Sequence, residues 1–337
     1  MGTLLPELTA QGLCCPYDHG TLQRESRGLI CAAGHRFPVV AGVPVLLRQD
    51  VEPSQAKARS AWQRALCLGA QELTTSVATA TPVIQGVHPV VQQSIVGTGG
   101  NYYRSLQGQL TRYPIPYFPR CGTNSERLLD IGCGWGRWSF AAAQAGFCVT
   151  GVDHDLDRVL AAQQIAQQLG LRISFIVADL RYLPLRPQSF ERIFSYSVLQ
   201  HFDEPSFDSA IGEVARVLRP GGLSLIQLPN RWGAASLYHQ LARGCRPARD
   251  YEVRYRAFRT TQRRLTEVIG PTSCSVDGFI GLNAQIADLD LMPWTHRLVI
   301  QMSQRLTQLS RWLVPLQYVA DSLYFESCSP TKPQSND

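Results

Sequence analysis

The stretch Asp130-Ile131-Gly132-Cys133-Gly134-Trp135-Gly136 constrains the fold more than any other part of the chain. It follows Arg127-Leu128-Leu129-Asp130-Ile131, which reads as a strand. It opens a helical pattern from Trp138 to Ala145 that Gly146 closes. A glycine-rich turn in that context belongs to an open α/β sheet, whose ligands sit at the carboxyl ends of parallel strands. Glycine is needed because the backbone must turn tightly and let a ligand approach with no Cβ in the way.

The alternation continues after the turn. Strands are expected at Cys148–Val152, Ile173–Val177, Arg192–Tyr196 and Leu223–Leu228, with helices at Asp157–Leu169, Phe207–Leu218 and Thr260–Ile269. Ser273–Phe279 and Asp321–Ser327 read as a closing antiparallel pair around a helical insertion. The spacing of the glycines departs from the dinucleotide fingerprint, because Arg137 stands where the third glycine belongs. Instead, Asp130, Asp153 and Asp179 close three successive strands. Asp153 is placed to accept two ribose hydroxyls and Asp179 an adenine amine. Three carboxylates suit a cationic sulfonium nucleoside better than a polyphosphate.

At these residues the chain resembles the class I S-adenosylmethionine-dependent methyltransferases. The matching stretches are Leu128–Ser139, Val149–Asp153, Ala178–Pro184, Phe190–Phe202 and Glu213–Leu228, in the family's order and spacing. The resemblance implies a Rossmann-like, seven-stranded sheet. It implies that Asp130, Gly132, Gly134 and Gly136 hold the methionine end of the cofactor. Asp153 would hold the ribose, Asp179 and Leu180 the adenine, with Ser195 also at the cofactor. Methyl transfer from a sulfonium is an in-line displacement, so the enzyme mainly aligns the partners. A base is needed only for a hydroxyl or protonated amine acceptor. Tyr196 and His201, after the fourth strand, are the catalytic candidates. His201 is read either as a base or as a residue that orients its loop or contacts cofactor. Asn230, Arg231, Tyr102, Tyr103, Arg104 and His239 are weaker candidates for acceptor or lid contacts.

A second constellation lies near the start. Cys15-Pro16-Tyr17-Asp18-His19 is followed by Cys31-Ala32-Ala33-Gly34-His35. Two short clusters a dozen residues apart have the arrangement of a zinc ribbon. With Gly20-Thr21-Leu22 and Phe37 to Leu47, this stretch resembles the small Trm112-like zinc-binding fold. It is also similar to the zinc module of bacterial ribosomal-RNA guanine methyltransferases. Where those families place a second cysteine, this chain has Asp18. The implied structural site is Cys15, Cys31 and His35 with Asp18 or His19.

These readings divide the chain into a zinc-ribbon-like module (1–50), a helical and loop-rich linker or lid (51–120) and a catalytic core (121–330). The core carries insertions at 231–257 and 281–320, and a flexible tail (331–337) follows. Helical spacing is expected over 49–80, through Ala56, Ala58, Trp62, Ala65 and Leu66. No apolar run is long enough to span a bilayer. With no basic and apolar leader at Met1–Glu7, a cytoplasmic location is expected. The formal charge of +6 is nearly all arginine, and Lys57 and Lys332 are the only lysines.

Three functions compete. The first is methylation of a small, lipid-like, quinone or glycan-linked acceptor walled in by the insertions. Leu291–Trp294 and the amphipathic run Val299–Leu316 would supply an apolar lining or a peripheral membrane contact. The second is ribosomal or transfer RNA methylation, with RNA recognised by the N-terminal module. The third is a non-catalytic, cofactor-binding scaffold.

Overall fold

The computed structural model describes residues 12–25, 28–52, 60–67, 86–280 and 283–331. The tail 332–337 and the start of the chain lie outside the described residues. So does most of the helix expected over 49–80, of which residues 60–67 are helical.

The main body is a seven-stranded sheet. Its strands are β5 (Arg127–Ile131), β6 (Cys148–Asp153), β7 (Ser174–Val177), β8 (Phe190–Tyr196), β9 (Leu218–Pro229), β10 (Thr272–Gly278) and β11 (Ser322–Cys328), in the order β10-β11-β9-β8-β5-β6-β7. β5 pairs in parallel with both β6 and β8, while β11 is antiparallel to β9 and β10. Successive strands run outward from β5 to one side and then from β8 to the other. The crevice where that order reverses lies at the ends of β5 and β8. Ile131 pairs with Ser195 there, so the glycine turn and Tyr196 leave the sheet side by side.

Both faces of the sheet are covered, as its apolar strands require. Leu129 and Ile193 face one cluster, with Phe207, Ile211 and Val214 of α4 (Glu204–Val217) and Leu265 of α6 (Phe258–Val268). Leu128 and Phe194 face the other, with Val91 and Ile95 of α1 (Pro89–Gly99), Phe140 of α2 (Arg137–Gln144) and Val159 of α3 (Leu156–Gln168). Adjacent residues of one strand thus enter opposite cores, the two-residue period of a pleated strand. Helix starts are capped by side chains: Asp155 accepts from the amides of Asp157 and Arg158, and Asp203 from Ser206.

The N-terminal module is a four-stranded antiparallel meander, β1 (Leu22–Glu25), β2 (Gly28–Cys31), β3 (Arg36–Val40) and β4 (Val43–Pro44). It docks on the free edge of β7. Val45 bridges Val177 in parallel, and Leu46 N–H donates to the Val177 carbonyl at 2.7 Å. Cys14 N–H reaches the Pro184 carbonyl at 2.9 Å. The module covers an edge that would otherwise offer unpaired backbone groups. Two further helices lie outside the sheet: α5 (Ala234–Ala242), and α7 (Trp294–Ser310) between β10 and β11.

Candidate functional site

The glycine turn is left-handed at three positions, with φ of 74° at Gly132, 54° at Gly134 and 90° at Gly136. Only glycine enters that region freely. The three differ in what surrounds them. A Cβ at Gly132 would meet Val198 Cγ2 at 2.3 Å, and one at Gly136 would meet Phe140 Cζ at 2.5 Å. A Cβ at Gly134 would meet no residue beyond its chain neighbours within 4 Å, although the residue is buried. The turn is therefore packed at its ends and hollow in its middle. Trp135 anchors it, buried, with its indole N–H donating to Thr98 Oγ1 of α1 at 2.9 Å.

The three carboxylates have separate roles. Asp153 ties the turn to the next loop: Oδ2 accepts Gly134 N–H and Oδ1 accepts Asp155 N–H, both at 2.9 Å. A carboxylate offers about four lone-pair positions, so both oxygens retain acceptor capacity. Asp179 is held by its neighbour, its oxygens accepting from the Arg181 amide at 3.0 Å and from the Arg181 guanidinium at 2.8–3.3 Å. Leu180 packs into the core beside it. Asp130 accepts Ser139 Oγ–H at 2.6 Å, and burial pushes its carboxyl up to about 7, partly offset by that hydrogen bond. An ionised Asp130 is thus costly until a cation approaches.

Three buried polar atoms without a partner belong to the ends of β6 and β8 or the loops that follow them: His154 Nε2, Ser195 Oγ and Gln200 Oε1. Unpaired buried polar atoms are costly and call for a ligand or water. Together with the hollow at Gly134, they fit a polar ligand lying across the turn.

Tyr196 donates to Asp277 Oδ2 at 2.6 Å and packs against Trp138 in a tilted arrangement, with centroids 4.6 Å apart. Ser322 Oγ donates to the same Asp277 oxygen at 2.6 Å, and burial raises the Asp277 carboxyl despite these bonds. Asp277 also lines a cavity with Tyr102, Asn283, Gln285, Val299 and Ser303. His201 lies on the loop after β8. Its Nδ1 is 2.7 Å from the Tyr251 carbonyl, and its ring stacks on Tyr251 at 4.5 Å. A carbonyl accepts, so Nδ1 carries the proton and Nε2 is left as the acceptor. Burial lowers the imidazole's pKa and favours this neutral form. Asn230 is used internally, its amide donating to the carbonyls of Tyr318 and Ala320 at 2.8 and 3.0 Å.

A buried triad escaped the sequence reading. Arg137, the residue that displaces the third dinucleotide glycine, donates to Asp288 Oδ2 at 2.9 Å and Tyr103 Oη at 2.8 Å. It also donates to the Pro114 carbonyl at 2.9 Å. Tyr103 Oη donates to Asp288 in turn. The triad fastens the 101–114 lead-in and the second insertion to the helix that starts at the turn. One signal was visible: Asp288 is an acid inside the otherwise apolar run Ile286-Ala287-Asp288-Leu289.

In the N-terminal module, ligand atoms of Cys15, Asp18, Cys31 and His35 lie within 4.8 Å of one another. His19 is not in that group. His35 Nδ1 is 3.2 Å from Cys31 Sγ, 3.5 Å from Cys15 Sγ and 3.6 Å from Asp18 Oδ2. Zinc bonds of roughly 2.0–2.3 Å at tetrahedral angles place ligand atoms about 3.3–3.8 Å apart. The donor set and its spacing fit such an ion. The Tyr17 ring stacks on His35 at 4.1 Å and fixes its plane.

Residues 128–222 match the family model described as Methyltransferase domain. It is 34% identical over 113 residues to the ubiquinone biosynthesis O-methyltransferase of Coxiella burnetii, covering 34% of this chain and 47% of that protein. It is 36% identical over 100 residues to methyltransferase GfsG of Streptomyces halstedii, covering 29% of this chain and 35% of that one. The chain thus spans less than half the length of these curated relatives. Among solved structures, it is similar to Haemonchus contortus phosphoethanolamine N-methyltransferase 2 in complex with S-adenosyl-L-methionine. That likeness has a TM-score of 0.44 at 17% identity and covers 72% of this chain and 58% of that one. Among the described residues, no helix is long and apolar enough to cross a membrane.

Proposed function

We propose that the protein is an S-adenosylmethionine-dependent methyltransferase acting on a small molecule. The observation that carries this reading is the hollow at Gly134, whose amide donates to the Asp153 carboxylate, in a turn that follows Asp130 and leaves the sheet at the Ile131–Ser195 pair. Bound there, the cofactor supplies an electrophilic methyl group on a sulfonium. Asp130 is suited to the ammonium of its methionine part and Asp153 to its ribose hydroxyls. Leu180 would face the adenine, with Asp179 oriented by Arg181.

The acceptor is assigned to the cavity beside Tyr196, Asp277 and Asn283. Tyr196 positions that side through its bond to Asp277. His201, neutral with Nε2 free of a proton, is the candidate base for a hydroxyl acceptor. The likeness to a ubiquinone biosynthesis O-methyltransferase supports a small acceptor. The N-terminal module spends its apolar face on the edge of β7, which supports a structural role. Zinc on Cys15, Asp18, Cys31 and His35 would brace that role, with all four positions filled by protein.

The test is incubation of the protein with methyl-labelled cofactor and separated cell extracts. Label in a low-mass product is expected; label confined to RNA would replace this reading with RNA methylation. For His201→Ala, a fall in kcat of at least about a hundredfold is expected. The wild-type rate should fall only as pH drops through a value below 6.5, because burial depresses that imidazole. Unchanged turnover in the variant would remove His201 as base.

A further inference from the structure

The second insertion leaves an unusual surface. In α7, Trp294, Leu298, Met302 and Leu309 are all exposed. At 100° per residue they form one stripe along the helix. The opposite side, with Ile300, is buried. The stripe continues past the helix into Trp312, Leu313 and Val314, and the two tryptophans are 72% and 85% exposed. Exposed aromatic and aliphatic groups gathered this densely mark an interaction surface.

The charge on this segment has one sign. Arg297, Arg305 and Arg311 are exposed, and no acidic residue occurs between Asp290 and Asp321. Arg305 falls within the apolar stripe. Arg297 lies on its flank, donating to the carbonyls of Met292 and Asp290. The first insertion repeats the composition: α5 exposes Leu237, Tyr238 and Leu241 after the exposed Trp232, and no acid occurs from Arg231 to Arg249. The two insertions are tied together. Asn230 donates to the Tyr318 and Ala320 carbonyls, and Asp321 Oδ1 accepts Ala235 N–H at 2.7 Å.

We infer that this face docks on an anionic lipid surface, with α7 lying in the interface plane. An amphipathic helix with tryptophan and leucine on its apolar side and arginine beside them suits that position. Negative headgroups complete the charge that the segment lacks. A second copy of the chain is a poorer occupant, because a two-fold self-contact would oppose arginine to arginine with no intervening carboxylate. The inference stands apart from methyl transfer, and its test needs no turnover.

The test is co-sedimentation of the full chain with vesicles of phosphatidylcholine, with and without phosphatidylglycerol. Binding to the anionic vesicles is expected, at least about tenfold weaker on the neutral ones and weakened by salt. Arg305→Glu with Arg311→Glu, and separately Trp294→Ala with Trp312→Ala, should each cut that binding at least about tenfold. Trp312→Ala alone, at a site with little packing to lose, should cut it by a smaller factor. Thermal unfolding shows that each variant is folded. No binding of the wild type to anionic vesicles would overturn the inference, as would equal binding to both vesicle types. So would a solution dimer that the same substitutions dissolve.

Discussion

The glycine turn and the N-terminal cluster are both sites at the ends of strands, and they are built in opposite ways. The turn is made of backbone: its shape comes from three left-handed glycines, and its interior is a space left empty. The cluster is made of side chains: four donor atoms brought within 4.8 Å by two short loops. The first is therefore sensitive to added atoms and the second to removed ones. Backbone sites are pre-formed by the sheet that carries them. A side-chain cluster of two thiols, an imidazole and a carboxylate holds together best around an ion.

The largest effect should come from adding bulk where the turn is packed. Gly132→Val places a branched side chain at φ 74° and within 2.3 Å of Val198. Loss of about 4 kcal/mol or more is expected in urea unfolding. A stable variant would mean that the turn is not the rigid element described here.

Removing atoms from the cluster should cost less, because the module also packs on β7. Cys31→Ala is expected to reduce zinc from about one equivalent to a trace and to lower stability by about 3 kcal/mol. Cofactor affinity should hardly change. Metal analysis of chelator-free wild-type protein is the accompanying measurement; a zinc content near zero would end the zinc reading.

Asp130 sharpens the comparison through pH. Its folded value, about 7, is raised above the ordinary 3.8 by burial. Well below pH 4 the group is neutral in both folded and unfolded chains and costs nothing. Between pH 4 and 7 the unfolded chain ionises first, so stability falls as pH rises, and the loss is complete above pH 7. Asp130→Asn should therefore stabilise the protein at pH 8, on the order of a few kcal/mol, and leave it unchanged well below pH 4. The same variant should weaken cofactor binding. Equal melting shifts at both pH values would show that the carboxylate is not held in a costly state.

Much of the sheet was legible in the sequence because its signals are local. Arg127–Ile131 is an apolar run between a turn and a glycine loop, and Asp157–Leu169 ends at Gly170. Each segment reports its own state without knowing its neighbours. The closing pair Thr272–Gly278 and Ser322–Cys328 was also visible from strand patterning, despite some forty residues between them. The use of side chains at the site was less legible. Arg181 stands two residues from Asp179, yet nothing in that spacing says that the guanidinium will hold the carboxylate. Asp288 meets Arg137 across 151 positions, and Asp277 meets Tyr196 across 81. Such pairs arise from how the insertions fold back over the strand ends. For Asp288 the trace in the sequence is a polar residue within an apolar run; Asp277, in Ser275-Val276-Asp277-Gly278, leaves none.

The most direct test of the account is a pair of calorimetric titrations with S-adenosylmethionine, on the wild type and on Gly134→Ala. Alanine at φ 54° costs about 1–2 kcal/mol, and its methyl group meets no atom of any residue beyond its two chain neighbours within 4 Å. The variant should remain folded, with its Cβ in the space assigned to the ligand. One-site binding to the wild type is expected, with an affinity at least about a hundredfold weaker in Gly134→Ala. No binding to the wild type, or equal binding to both proteins, would contradict it.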